Sequence, residues 1–276
     1  MTTIAAASAV PADQLHAAFR EAFADYLIGP FQVPLAQWPQ FLARQGVELP
    51  LNRVALDDGG AILAFAFVAQ RPGRWRLATM GARPAARGSG AAPRLLDDFM
   101  QRAREAGMAA VELEVFAQNE RARRLYEGRG FVARSELLGW QAEPAGGEPA
   151  PWADLLEREA AFAWIAARPY LDDLPLQQTP ALLAANPNRL QALQQGSALL
   201  LFAETAPLSL TVSGLYDDAP EQADALALAR ALRAAHPAHR IVVPALQRPD
   251  LGGRVLAEAG FERQPLHQLL MRASLA

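Results

Sequence analysis

Arg87-Gly88-Ser89-Gly90-Ala91-Ala92 is the stretch that decides the fold. It follows a short apolar-rich run, Trp75 to Met80, which Gly81-Ala82-Arg83-Pro84 breaks. After it, Leu95, Leu96, Phe99, Met100 and Ala103 recur at helical spacing as far as Gly107. A strand, a glycine turn and a helix in that order leave backbone N–H groups uncovered at the helix start, where the helix dipole adds its positive end. Such a junction favours an anion, phosphate above all, although a glycine turn of this kind taken alone is also an ordinary turn.

Working outward, the elements alternate as in an α/β domain. A helix is expected around Ala12–Tyr26, with strands near Arg53–Leu56 and Ala61–Ala69. Beyond the glycine-turn helix lie a strand over Val111–Phe116 and a helix from Glu120 to Gly128. Gln141 to Pro151 is rich in proline and glycine, sustains neither helix nor strand, and reads as a linker. The expected organisation is therefore a domain over 1–140, a linker over 141–151 and a second domain over 152–276. In the second, a helix runs to about Ala167, strands cover Ala198–Ala203, Leu208–Leu215 and Ile241–Ala245, a helix spans Glu221–Ala235, and Val255–Ala259 forms a helical stub.

The second half repeats the first at an offset of 130 residues without a gap. Gly130-Phe131 falls on Gly260-Phe261, Val111 and Leu113 on Ile241 and Val243, and Gly90–Ala106 on Pro220–His236. A tandem duplication is the expectation, the alternative being two unrelated α/β domains that share a common unit. Arg87–Ala92 aligns with Asp217-Asp218-Ala219-Pro220-Glu221-Gln222, where carboxylates would repel a phosphate. Glu114, Asn119 and Tyr126 align with Pro244, Pro249 and Leu256, so the second copy keeps core positions and loses the chemical ones.

The first half resembles the GNAT acyltransferase superfamily. The signature of that family is Arg or Gln, two residues, Gly, one residue, then Gly or Ala, and Arg87 to Ala92 fits it at each defined position. Leu113-Glu114-Val115, Asn119, Leu125-Tyr126-Glu127 and Gly130-Phe131 fit the second half of the pattern. The resemblance is specific over roughly residues 50–140 and looser before. It implies the acyl-CoA N-acyltransferase fold, α/β with a mixed sheet, in two tandem GNAT-like domains of which the second is degenerate. It also implies an acetyl-CoA-dependent N-acetyltransferase that works by direct attack of a primary amine, with one active site per chain. Arg87, Gly88, Ser89, Gly90, Ala91 and Ala92 then hold the pyrophosphate, with Met80, Gly81, Ala82, Asn119 and Tyr126 completing the cofactor contacts.

Acyl transfer to an amine needs a base for the amine proton, a donor for the oxyanion and an acid for the leaving thiolate. On the Val111–Phe116 strand, Glu112, Glu114 and Phe116 share one face. Glu114 stands where the resemblance to ribosomal-protein N-terminal acetyltransferases implies a general base, with Glu112 or a water as alternatives. Tyr126 is the implied acid, though a tyrosine on a helix facing a sheet also serves core packing. Asn119 serves as an N-cap, as a cofactor contact, or as both. The oxyanion donor is expected at a backbone N–H near Met80 or Gly81. Arg83 and Arg87 offer charge to the phosphates, Phe19, Phe23, Tyr26, Phe31, Trp38 and Phe41 suggest an apolar acceptor wall or ordinary packing, and Asp25 and Glu48 offer charge to an ammonium.

Composition excludes several other classes. The chain has 276 residues, a net charge of −3 and 51% apolar residues, so nothing points to nucleic acid or membrane as a partner. The start of the chain lacks the pattern of a secretory signal, and a cytoplasmic location is the default expectation. With no cysteine, disulfides, thiolate metal sites and a cysteine acyl-enzyme are absent, and no metal is expected. The partners expected are acetyl-CoA and an amine-bearing small molecule or peptide.

Overall fold

The computed structural model describes residues 2–150 and 155–275. In chain order these form β1 (Thr3–Ala6), α1 (Ala12–Ala22), α2 (Trp38–Arg44), β2 (Arg53–Leu56), β3 (Ile62–Arg71), β4 (Arg74–Ala82), α3 (Ala91–Glu105), β5 (Ala110–Phe116), α4 (Glu120–Glu127) and β6 (Val132–Ala142). There follow α5 (Arg158–Ala166), α6 (Pro180–Ala184), β7 (Gln191–Gln195), β8 (Ala198–Ala206), β9 (Ser209–Tyr216), α7 (Ala223–Ala235), β10 (Arg240–Gln247) and β11 (Glu262–Ser274). No helix among the described residues is long and apolar enough to cross a membrane.

Two compact units divide the chain: residues 1–115, 119–133 and 271–276 make the first, and 116–118 with 134–270 make the second. The contiguous division expected at 140 is thus not how the chain packs: residues 134–140 lie with the second unit and 271–276 with the first. Gln141 and Ala142, expected in the linker, end β6; residues 143–150 carry neither helix nor strand, while Pro151 and Trp152 lie outside the described residues. β6 and β11 escape a sequence reading because neither alternates cleanly in polarity, the two running as VARSELLGWQA and ERQPLHQLLMRAS.

The first unit orders its strands β1-β2-β3-β4-β5, followed by the end of β11. The pairs from β1 to β4 are antiparallel, and β4 pairs β5 in parallel, so the sheet is mixed. β3 is apolar almost throughout because both its faces are covered: residues 64–69 are fully buried. On one face Phe19 of α1 stacks on Phe65 and Phe67, with Trp38 of α2 at its edge, 4.8 Å between centroids. Phe19 and Trp38 are therefore core, and the expected acceptor wall reduces to ordinary packing for them. On the α3 helix, Leu95, Leu96, Phe99, Met100 and Ala103 are buried, as their spacing dictates. Gly107, at φ +73°, ends it, and the Met108 amide returns to the Ala103 carbonyl at 3.0 Å.

α1 stops at Ala22, short of Tyr26, because Gly29 at φ +93° and the prolines at 30 and 34 lead the chain through an irregular segment. The second unit orders the remainder of β11, then β6-β10-β9-β8-β7, with β9 and β10 parallel. Its core gathers Trp140, Phe202, Leu228, Leu232, Val243 and Phe261. The helical stub expected over Val255–Ala259 is instead a run of turns after a π-type turn at Pro249–Gly253, with one α-type bond, Ala259 N–H to the Val255 carbonyl at 2.9 Å. Pro249 withholds a donor, and Gly252, at φ +88°, has left-handed backbone. One hydrogen-bonded turn occurs in both units: Phe131 donates to the Tyr126 carbonyl at 3.2 Å behind Gly130 at φ +84°, and Phe261 donates to the Leu256 carbonyl at 2.9 Å behind Gly260 at φ +82°.

Candidate functional site

The glycine turn opens α3 with backbone that side chains resist. Gly88 lies at φ +90° and Gly90, the N-cap, at φ +84°, and a Cβ on either would meet only open space. Space is available at both; the dihedral is what requires glycine. Among the described residues, the amides of Gly88, Gly90 and Ala92 have no acceptor, and Pro93 has no donor to leave unmet. Ser89 and Ala91 differ: the Ser89 amide donates to the Ala86 carbonyl at 3.2 Å, and the Ala91 amide to Ser89 Oγ at 3.3 Å. Three unmet donors at a helix N-terminus form a receptor for an anion.

Both arginines beside the turn already hold carboxylates. Arg87 makes a bidentate pair with Asp25, at 2.5 and 2.6 Å, and also donates to the Ala22 carbonyl at 3.1 Å. Arg83 meets Glu21 at 2.7 Å. The hydrogen bond from Arg87 holds the exposed Asp25 carboxyl below its usual range. Asp25 is thus engaged by the loop and not free for an ammonium.

β4 and β5 separate where the chemistry is expected. They pair only from Arg74 with Ala110 to Leu77 with Leu113. On the other edge of β4, Phe67 faces Thr79 while Val68 faces Leu77, so Ala78 is bulged and β4 bends at that point. The Arg83 amide donates to the Leu63 carbonyl at 3.0 Å, which fixes the phase of the antiparallel ladder. Alternation then turns the Gly81 amide to β3 and the Met80 and Ala82 amides away from it, into the opening beside β5. Of the two donors left open by sequence, Met80 faces the opening. Gly81 is small for a different reason, because a Cβ there would lie 2.6 Å from Phe65 Cζ.

The two carboxylates on β5 are both buried and both paired. Glu112, 0% exposed, is met by Arg71 at 2.9 Å, Arg272 at 3.4 Å and Arg74 at 3.5 Å. Enclosed on every side, it cannot reach a substrate and is no alternative base. Glu114 has one oxygen, Oε2, held by Arg76 through Nε at 2.7 Å and Nη2 at 2.6 Å, with side chains 2% and 3% exposed. Arg76 Nη1 also donates to the Gln45 carbonyl behind α2, at 3.2 Å. The other oxygen, Glu114 Oε1, is buried without a hydrogen-bond partner.

Asn119 and Tyr126 come together through a residue that sequence reading placed only among the aromatics, Tyr26. Asn119 Oδ1 accepts the Ala122 amide at 3.2 Å and so caps α4. The Asn119 side chain also lies near the Tyr26 hydroxyl, which burial pushes above the usual tyrosine range. Tyr126 is buried against Phe131 and close to Tyr26, and its hydroxyl has no partner among the described residues. Burial, reinforced by Tyr26, pushes that hydroxyl far above the usual tyrosine range, so it keeps its proton. Arg76 is the other residue missed; its signal was an arginine inside an apolar strand opposite a strand with alternating glutamates.

In the second unit, the corresponding turn carries its own anion. Asp217, 0% exposed, accepts from the Ala219 amide at 3.0 Å, the Ser197 hydroxyl at 3.0 Å and the Ala225 amide, in the first turn of α7, at 3.1 Å. A carboxylate from the chain uses donors at the α7 N-terminus, where the α3 start leaves them unmet. Among the described residues, no group of three or more His, Asp or Glu side chains is placed to hold a metal ion.

No curated protein sequence matches the chain. Its fold is similar to that of a GCN5-related N-acetyltransferase from Sphaerobacter thermophilus, at 16% identity and a TM-score of 0.69, with 99% of this chain and 96% of that one covered. It is also similar to a Pyrococcus horikoshii protein assigned as an acetyltransferase, at 13% identity, TM-score 0.64 and 99% and 89% coverage. Eis1 from Mycobacterium abscessus is similar at 13% identity and TM-score 0.57, covering all of this chain and 74% of that one. These likenesses establish the acyl-CoA N-acyltransferase fold along the whole chain. Residues 13–131 match the model of the acetyltransferase (GNAT) family, a span that holds every residue named at the open α3 turn and around Glu114 and Tyr126.

Proposed function

We propose that the first unit transfers an acetyl group from acetyl-CoA to a primary amine by direct attack, with one site per chain. The observation that carries this reading is the grouping, in one unit, of three unmet amides at the α3 start, the Met80 amide in the β4–β5 opening and the unpartnered Tyr126 hydroxyl. The donor set fits a diphosphate: the Gly88, Gly90 and Ala92 amides hold it, with the α3 dipole behind them. Ser89 assists with its hydroxyl, and Ala91, buried, lets the turn close on the sheet.

The thioester supplies the acyl group: a C–N bond forms, the C–S bond breaks, nitrogen loses one proton and sulfur gains one. Glu114 Oε1 accepts an N–H of the amine and then its proton, directly or through a water. The Met80 amide stabilises charge developing on the carbonyl oxygen. Tyr126, which burial keeps protonated, gives its proton to sulfur. Asn119 caps the start of α4 and so holds Tyr126 in place. Asp217 fills the corresponding turn of the second unit, so that unit contributes no second donor site.

The test is thiol release from acetyl-CoA over a panel of primary amines, with calorimetry of CoA binding. Turnover and one CoA per chain are expected. Tight CoA binding without turnover of any amine would show a binding protein instead, and two CoA per chain would refute the single site.

A further inference from the structure

We infer that Arg76 is a positioning residue that selects the acceptor: by cancelling the charge of Glu114, it makes the site accept amines that are largely un-ionised near neutral pH, as a peptide α-amine is, over lysine-like amines. The inference rests on Glu114 being the group that meets the acceptor, and it names the chemical class that group takes.

Three observations support it. First, Glu114 is unevenly satisfied. Arg76 places two N–H groups on Oε2, at 2.6 and 2.7 Å, and none on Oε1, which is buried and unpartnered. A buried carboxylate oxygen without a donor is costly, and such an atom in a native fold calls for a partner that arrives with a ligand. Second, Arg76 cannot swing away at little cost, because its remaining Nη1 is anchored on the Gln45 carbonyl at the end of α2. The guanidinium therefore stays beside the carboxylate while Oε1 receives the acceptor. Third, the carboxylates of β5 are outnumbered: Glu112 and Glu114 meet four guanidiniums, those of Arg71, Arg74, Arg76 and Arg272.

An isolated buried carboxylate would draw in an ammonium and hold it protonated, which removes the lone pair that must attack. With a guanidinium on its other oxygen, the same carboxylate still accepts an N–H, while the neighbouring positive charge opposes a second cation. Oε1 so placed orients a neutral amine. An α-amino group, with a pKa of about 7.7–8.0, supplies that form readily near neutrality; a lysine side chain, at about 10.4, does not.

The experiment compares glycinamide with n-propylamine, amines of similar size whose pKa values differ much as α- and ε-amino groups do. Thiol release at neutral pH gives kcat/KM for each, with wild type, Arg76→Lys and Arg76→Gln. The expected result is a preference of at least about tenfold for glycinamide in wild type, retained in Arg76→Lys and reduced to within about twofold in Arg76→Gln. A merely structural role would lower both rates together and leave the ratio alone. Wild-type preference for propylamine, or an unchanged ratio in an active Arg76→Gln variant, overturns the inference and leaves the transferase reading intact. No turnover of any amine by wild type that binds CoA overturns the transferase reading itself. Should Arg76→Gln fail to fold, Arg76→Gln/Glu114→Gln, which like the wild-type pair carries no net charge, takes its place; the glycinamide preference is expected to persist in its residual turnover, and its loss overturns the inference equally.

Discussion

The Asp217 carboxylate accepts the Ala225 amide at 3.1 Å, so α7 starts on an anion built into the chain. Asp217→Ala strands the amides of Ala219 and Ala225, two donors in or near buried surroundings, while the Ser197 hydroxyl keeps Asp224 Oδ2 at 3.2 Å. The expected loss is about 1–3 kcal/mol of stability, read by urea unfolding. Acetyl transfer should be unchanged in rate, and CoA should still bind once per chain. A fall in kcat/KM out of proportion to stability would give the second unit a part in the reaction.

Gly81 and Gly90 are small for different reasons, and alanine separates them. At Gly81 a Cβ collides with Phe65, so Gly81→Ala should cost about 1–3 kcal/mol by overpacking and lower the melting temperature. At Gly90 the space is open and the backbone is left-handed, so Gly90→Ala costs about 1–2 kcal/mol in dihedral strain that tilts the turn. Its main effect is expected on KM for acetyl-CoA, with kcat little changed. Equal effects of both variants on KM would contradict the separation.

Tyr126→Phe removes the proposed proton donor and keeps the ring against Phe131. General acids contribute about 100-fold or more, so kcat should fall by that order while CoA affinity holds. Because burial holds the wild-type hydroxyl far above the usual tyrosine range, its deprotonation should give no alkaline fall in kcat below about pH 10. Full activity in Tyr126→Phe would remove the assigned acid.

Alkaline stability follows from the same physics. Burial raises Tyr126, Tyr170 and Tyr216 above the usual tyrosine value. Below about pH 10 all three are neutral in both folded and unfolded chains and contribute no pH dependence. Above it the unfolded chain releases their protons first, so stability falls as pH rises through that range. Unfolding midpoints against pH should show this fall, and Tyr216→Phe, which also gives up the 3.1 Å bond to the Gln178 carbonyl, should make it shallower. An equal slope in that variant would assign the fall to other groups.

What sequence revealed tracks what is local. Gly88, Gly90 and the buried stripe of α3 are dictated by dihedral and period, and the strand–turn–helix was legible to within a residue or two. Asn119 as a cap is equally local. Long-range pairing is not: nothing near Glu114 in sequence announces Arg76, and nothing near Asn119 announces Tyr26. The same limit hid β6 and β11, whose membership of two units depends on pairing across the chain and not on their own polarity.

Arg272 reaches Glu112 from 160 residues downstream, on the end of a strand shared between units. During synthesis, then, the first half emerges from the ribosome long before the strand that completes its sheet, and a fully buried carboxylate waits without one of its three guanidiniums. An N-terminal fragment ending at the proline-rich segment is therefore an unfinished sheet, and the half that holds the open α3 turn matures only after the other half has been made.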